Sequence, residues 1–100
     1  MLIHSVYFWL NQEEDAGSIL QFEEGLASLL EDPAVDSGYY GKPAETPPRP
    51  VIENSYSHGL VLVFADQAAH DRYQVGPVHK RFLLENNLKW TKLLVYDIEA

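Results

Sequence analysis

Three strand-like runs in this chain carry apolar side chains on both faces, and that double demand for cover limits the folds open to it. Successive strand residues point to opposite faces of a sheet. In Leu2 to Leu10, His4, Val6, Phe8 and Leu10 share one face, while Ile3, Ser5, Tyr7 and Trp9 share the other. In Ser55 to Phe64, His58, Leu60, Leu62 and Phe64 alternate with Val61 and Val63. Trp90 to Ile98 reads as a third run of the same kind. An antiparallel sheet with one wet face would alternate apolar with polar residues. This sheet needs cover on both sides.

The chain supplies cover for one side. Ile19, Phe22, Leu26, Leu29 and Leu30 recur at helical spacing. The acidic stretch Asn11 to Asp15 suits a helix start, but Ser18 with Gln21 also matches a capping box, so the start is open between the two. Pro33 is expected to end this helix, because proline disfavours helical geometry in the residue before it. Asp66 caps a second helix over Gln67 to Tyr73. Gly76-Pro77 breaks it, and Pro77 starts another turn of helix at the position that tolerates proline. Val35 to Lys42 is a weaker strand, interrupted by Gly38 and Gly41. Pro43 to Asn54 holds four of the six prolines and reads as a loop.

The order is β-α-β-β-α-β within one domain spanning residues 1–100. That order predicts an α+β, ferredoxin-like fold: a four-stranded antiparallel sheet with helices on one face. The other face, with Ile3, Tyr7, Trp9, Val61 and Val63, remains bare. A second copy of the chain, sheet facing sheet across a two-fold axis, is the simplest cover. The expectation is a homodimer through the sheet faces.

Charge narrows the partners. Seven basic residues stand against fifteen acidic ones, a net charge of −8. A nucleic-acid surface needs a basic stripe, and the densest basic spot is His79-Lys80-Arg81, so nucleic-acid binding is not expected. The absence of cysteine removes disulfides, thiolate metal sites and a thiol nucleophile. The apolar N-terminus lacks the basic region and cleavage site of a signal peptide, and no run reaches the ~18 apolar residues of a membrane helix. No membrane association and a cytoplasmic location are the expectations that follow.

Chemistry is concentrated in histidine and tyrosine. His79 stands in the first turn of the helix begun by Pro77, where the positive end of the helix dipole favours a neutral imidazole. A neutral ring can accept a proton as general base. The plainer alternative is a ring packed under Phe82 and bonded to a backbone carbonyl. His4 shares the helix-facing side with Val6 and Phe8, so its ring must be hydrogen-bonded or line a cavity. His58 is similar but sits near a strand start, where partial exposure is expected. Tyr73 has the hydroxyl to donate to a carbonyl or enolate oxygen, or it is amphipathic packing at a helix end. His70-Asp71-Arg72, the acid cluster within Gln12 to Asp15 and the pair Glu23-Glu24 read as solvated helix faces. The histidines come from separate elements with no H-x-H pair, so neither a metal nor a cofactor is expected. Tyr39, Tyr40, Tyr56, Trp9 and Trp90 are read as core and dimer packing, with an aromatic ligand pocket as the alternative.

Four stretches in order resemble the stress-responsive dimeric α/β-barrel (Dabb) family. They are Ile3-His4-Ser5-Val6, Tyr56-Ser57-His58 running into Val61-Leu62-Val63-Phe64, Tyr73-x-x-x-Pro77-x-His79-x-x-Phe82, and Leu93-Leu94-Val95-Tyr96-Asp97. The resemblance spans nearly the whole chain and implies a dimeric α/β barrel of two four-stranded sheets. One plant branch of the family, the olivetolic-acid-cyclase type, closes a polyketide by aldol condensation in a pocket between sheet and helices. The residues of that pocket correspond here to His4, His58, Tyr73 and His79. Two positions depart from it: Gly76 stands where that branch has a further histidine, and Gly25 about where it has a tyrosine. The resemblance implies a pocket for a hydrophobic, carbonyl-bearing small molecule. His79, Tyr73 and His4 would be catalytic, and His58, Val6, Phe8 and Phe82 would hold the ligand. If the protein is an enzyme, the reaction expected is aldol chemistry of the cyclase or lyase type. A non-enzymatic binding or stress-protective dimer, and a cofactor-free monooxygenase of a related barrel superfamily, are the open alternatives.

Overall fold

In the computed structural model, which describes residues 1–100, the most apolar strand takes a central place. β1 (Leu2–Leu10) lies between β3 (His58–Phe64) and β4 (Trp90–Glu99), and β2 (Ser37–Gly41) forms the edge beyond β3. All neighbours are antiparallel in the order β2-β3-β1-β4, the ferredoxin-like arrangement. Register fixes which residues share a face. His4 lies opposite Leu62 and Asp97, Val6 opposite Leu60 and Val95, and Phe8 opposite His58 and Leu93. This row faces the helices.

α1 (Ala16–Leu29) starts where Asp15 accepts the backbone N–H of Ser18 at 2.8 Å. The acidic stretch therefore marks the start, and Ser18 is not the cap; its hydroxyl donates instead to Glu14. The helix also stops well short of Pro33. Leu30, Glu31 and Asp32 each bond the carbonyl three residues back, and the Asp32 carboxylate accepts from Ala34 N. The chain thus unwinds through tight turns before proline can act.

α2 (Gln67–Val75) is capped by Asp66 and runs two residues past the expected end. Gly76 is extended, and α3 (Pro77–Asn86) begins with proline at its first position, as expected. β2 is shorter than Val35 to Lys42 because Val35 N turns back to Asp32 O. β3 starts at His58 rather than Ser55. Ser55 is tied to Glu53 and accepts from Trp9 Nε1, while the Ser57 hydroxyl bridges Phe8 O and Leu10 N. The proline-rich segment between β2 and β3 contains neither helix nor strand.

The core fills the space between helices and sheet: Val6, Phe8, Phe22, Leu26, Leu29, Leu60, Leu62, Phe64, Ala69, Tyr73 and Phe82 are all buried. Each large member contributes about 1.5–3 kcal/mol by leaving water. α1 and α3 close over it at Gly25, where an added Cβ would come within 2.9 Å of Asn86 Nδ2 and 3.0 Å of Phe82 Cδ1. Beside that seam the buried Lys89 ammonium donates to Ser18 O, Gln21 Oε1 and Asn86 Oδ1 at 2.8–3.1 Å. The opposite face of the sheet carries no helix. Tyr39, Tyr96 and Ile98 are well exposed there, and Tyr7, Trp9, Tyr56 and Leu94 help line a shallow apolar concavity. No helix is long and apolar enough to cross a membrane.

Candidate functional site

The alternation of β1 aims His4, Val6 and Phe8 at the helices, and β4 adds Leu93 and Val95 alongside. Tyr73 descends from the end of α2, and His79 and Phe82 descend from α3. Together they enclose a cavity of about 220 Å³ between sheet and roof. Pockets for drug-sized ligands run to roughly 300–1,000 Å³, so this one suits a compact molecule. Its lining is mainly apolar; the polar exceptions are His4, Tyr73, Gln74 and His79.

His79 Nδ1 lies 3.1 Å from the carbonyl oxygen of Gln74. A carbonyl only accepts, so Nδ1 carries the proton and Nε2 keeps its lone pair. Burial lowers the pKa of the ring; the Gln74 bond opposes this, and the neighbouring His4 and His70 add to the lowering. The ring is therefore held neutral further into acid than an ordinary imidazole. The backbone bond of the plainer expectation is present, and it occupies one ring nitrogen only. Burial rather than the helix dipole is the main cause of its low basicity.

The Tyr73 ring is 5.0 Å from that of His79 and 6.4 Å from that of His4. It is only 2% exposed. Burial, reinforced by the Asp32 carboxylate, raises its pKa far above the ordinary phenol value, so the hydroxyl stays protonated and can donate. His4 Nδ1 donates to Asp97 Oδ1 at 2.6 Å across the β1–β4 pairing.

Six expected site residues, His4, Val6, Phe8, Tyr73, His79 and Phe82, line one cavity. His58 does not join them. It is buried rather than partly exposed, and lies beneath α1 with Nε2 bonded to Glu23 Oε2 at 2.8 Å. Phe22 is in edge contact with both Phe8 and His58, at 5.0 and 5.1 Å between ring centroids. Glu23 in turn is half-buried and engaged, not a solvated acid. His70 departs from its expected place as well: its ring meets His4 at 5.0 Å and Phe64 at 5.5 Å. Spacing carries the signal for it, since His70 precedes Tyr73 by three residues and so shares its helix face. Asp97, marked in the sequence only as the end of the closing motif, is the other residue that the fold brings to this cluster. It sits two and four residues beyond Val95 and Leu93, on the same strand face.

The sequence profile of the Stress responsive A/B Barrel Domain matches residues 2–100. A search of curated proteins found no match. Among solved structures, a dimeric ferredoxin-like protein of unknown function from a Jannaschia species is 26% identical. It superposes with a TM-score of 0.76, covering 99% of this chain and 98% of its own. A Dabb family protein with a ferredoxin-like fold from Mesorhizobium loti is 25% identical, with a TM-score of 0.77 over 99% and 95% of the two chains. The hydroxynitrile lyase of Passiflora edulis shares the fold at 17% identity, with a TM-score of 0.79 over 97% and 90%. With sheet order, cavity and a family match across almost every residue in agreement, this chain belongs to the stress-responsive A/B barrel (Dabb) family.

Proposed function

We propose that the protein is a homodimer joined through its open sheet faces. In each subunit the cavity takes up a small hydrophobic carbonyl compound, on which His79 acts as general base. The observation that carries this reading is the His79–Gln74 bond, which fixes the tautomer of a low-basicity ring on the wall of an apolar cavity, next to a protonated tyrosine.

His79 Nε2 removes a proton from the carbon next to the carbonyl. The C–H electron pair moves into the carbonyl, and the developing oxyanion is stabilised by the Tyr73 hydroxyl. The enolate carbon then attacks a second carbonyl, and the imidazolium returns its proton to the resulting alkoxide. His4, oriented by Asp97, positions the carbonyl end of the ligand. A hydroxynitrile lyase with this fold supports a lyase-type reading, and the dimeric description of the Jannaschia relative supports the assembly.

Proton abstraction can be tested before a natural substrate is known. Acetophenone in deuterium oxide exchanges its methyl protons only if a base removes them, and proton NMR follows the loss. The wild type should accelerate exchange, His79→Gln should abolish the acceleration, and Tyr73→Phe should slow it by roughly a hundredfold, as loss of an oxyanion donor does. Equal exchange by wild type and His79→Gln would refute the base. Binding of the ketone without exchange would leave a binding dimer in place of an enzyme.

A further inference from the structure

A second constellation lies at the cavity's edge; it shares His4 and Asp97 with the proposed carbonyl-positioning pair and adds His70, which no proposed step uses. One nitrogen of His4, one nitrogen of His70 and one carboxylate oxygen of Asp97 lie within 4.8 Å of one another. They come from three elements, β1, α2 and β4, that only the folded chain brings together. We propose that these three side chains bind a first-row divalent transition metal of the zinc class.

The donor set selects the ion. Two imidazoles and one carboxylate suit Zn²⁺, Co²⁺ or their neighbours, whereas Mg²⁺ and Ca²⁺ favour all-oxygen sites. Burial then separates the roles of the ligands. The His4 side chain is 6% exposed and held on a central strand, so it supplies the fixed point. His70, at 16%, and Asp97, at 45%, lie nearer solvent and have freedom to adjust. Metal–ligand bonds of about 2.0–2.2 Å bring neighbouring donors closer than the present spread, and these two side chains can make that adjustment.

What now holds the three is weak competition for an ion. His70 contacts Asp71 Oδ1 at 3.1 Å at the surface and Gln74 Nε2 at 3.3 Å in a half-buried setting, both close in sequence. Asp97 pairs with no lysine or arginine; its one ion-pair partner is His4. An ion would enter from the Asp97 side and take the place of the proton in the His4 Nδ1–Asp97 hydrogen bond. Water from solvent would complete its coordination, which makes the site open rather than closed.

Cobalt is the probe, because bound Co²⁺ is visible by absorption. Full-length protein freed of metal with chelator should take up one Co²⁺ per chain saturably at micromolar concentration, and Zn²⁺ should displace it. His70→Ala and Asp97→Asn alter partly exposed side chains, and circular dichroism will show that they fold. Each should weaken binding by about tenfold or more, since even outer-shell changes cost that much. His79→Gln should bind cobalt as the wild type does, so failure of the general base and failure of the metal site are distinguishable. Absence of saturable uptake would overturn the proposal. So would undiminished uptake by folded His70→Ala and Asp97→Asn.

Discussion

The two nitrogens of His79 have different surroundings, and that difference sets how the site responds to acid. Nδ1 is committed to Gln74 O, while burial makes a charge on the ring costly. Protonation therefore removes the base and also opposes the fold. The folded-state pKa lies below the ordinary imidazole value of about 6.5, so the unfolded chain binds the proton more readily. The stability linked to this ring is complete above that ordinary value and is lost as pH falls toward the lowered one. Two outcomes are expected with chelator present. Ketone exchange should already be on its plateau at neutral pH and fall only in acid. Between neutrality and pH ~5, below the ordinary imidazole value, the melting temperature of the wild type should drop more than that of His79→Gln; equal drops would sink the assignment. His4 and His79 stand out in the sequence as polar rings on an apolar strand and at a helix start, and Tyr73 as an aromatic hydroxyl near a helix end; the fold brings all three to one cavity. His58 was misleading for a reason that alternation cannot reveal. It faces the helices as His4 does, but at the end of its strand that lies under α1, where Glu23 reaches it.

Elements meet closely only where side chains leave room, and the α1–α3 seam depends on Gly25. The backbone there is ordinary helix, so the glycine is required by contact and not by conformation. Gly25→Ala would press a methyl group against Asn86 Nδ2 and Phe82. Asn86 also holds the Lys89 ammonium, so a shift at the seam disturbs a buried charge as well. Overpacking of this kind costs about 1–3 kcal/mol. Urea unfolding should show that loss as a lower midpoint with an unchanged slope; an unaltered midpoint would mean that the helices separate freely. The succession of elements along the chain, the Asp66 cap and the Gly76-Pro77 break could all be read from local chemistry. The ends of α1 and β3 could not, because they are decided by turns and side-chain bonds at Asp32, Ser55 and Ser57 that propensity does not encode.

At the scale of the whole molecule, the sheet has one dry face and one that still needs cover. Three helices bury the row from His4 to Phe8, while the reverse face offers Tyr7, Trp9, Leu94, Tyr96 and Ile98 with no element above them. Soluble monomers rarely expose contiguous apolar patches beyond a few hundred Å². Two such faces, packed about 10 Å apart, would make a second core shared between copies. A two-fold axis also means that a charge placed there meets its own copy or the same apolar surface. Tyr96 is 59% exposed in the single chain, so Tyr96→Glu leaves the subunit's own core intact. Leu88, 86% exposed just beyond α3, offers a control away from the sheet. Sedimentation equilibrium at micromolar concentration should give twice the 11.4 kDa chain mass for the wild type and for Leu88→Glu, and the single-chain mass for Tyr96→Glu. A wild type of 11.4 kDa would mean that the bare face tolerates water. A dimer that survives Tyr96→Glu would mean that the copies meet elsewhere. The cavity faces the helices, so the monomeric variant also separates assembly from chemistry. If Tyr96→Glu still accelerates ketone exchange, each subunit holds a complete site; if it folds but loses exchange, the second copy is what keeps β4 and its Leu93 and Val95 in place beneath the ligand.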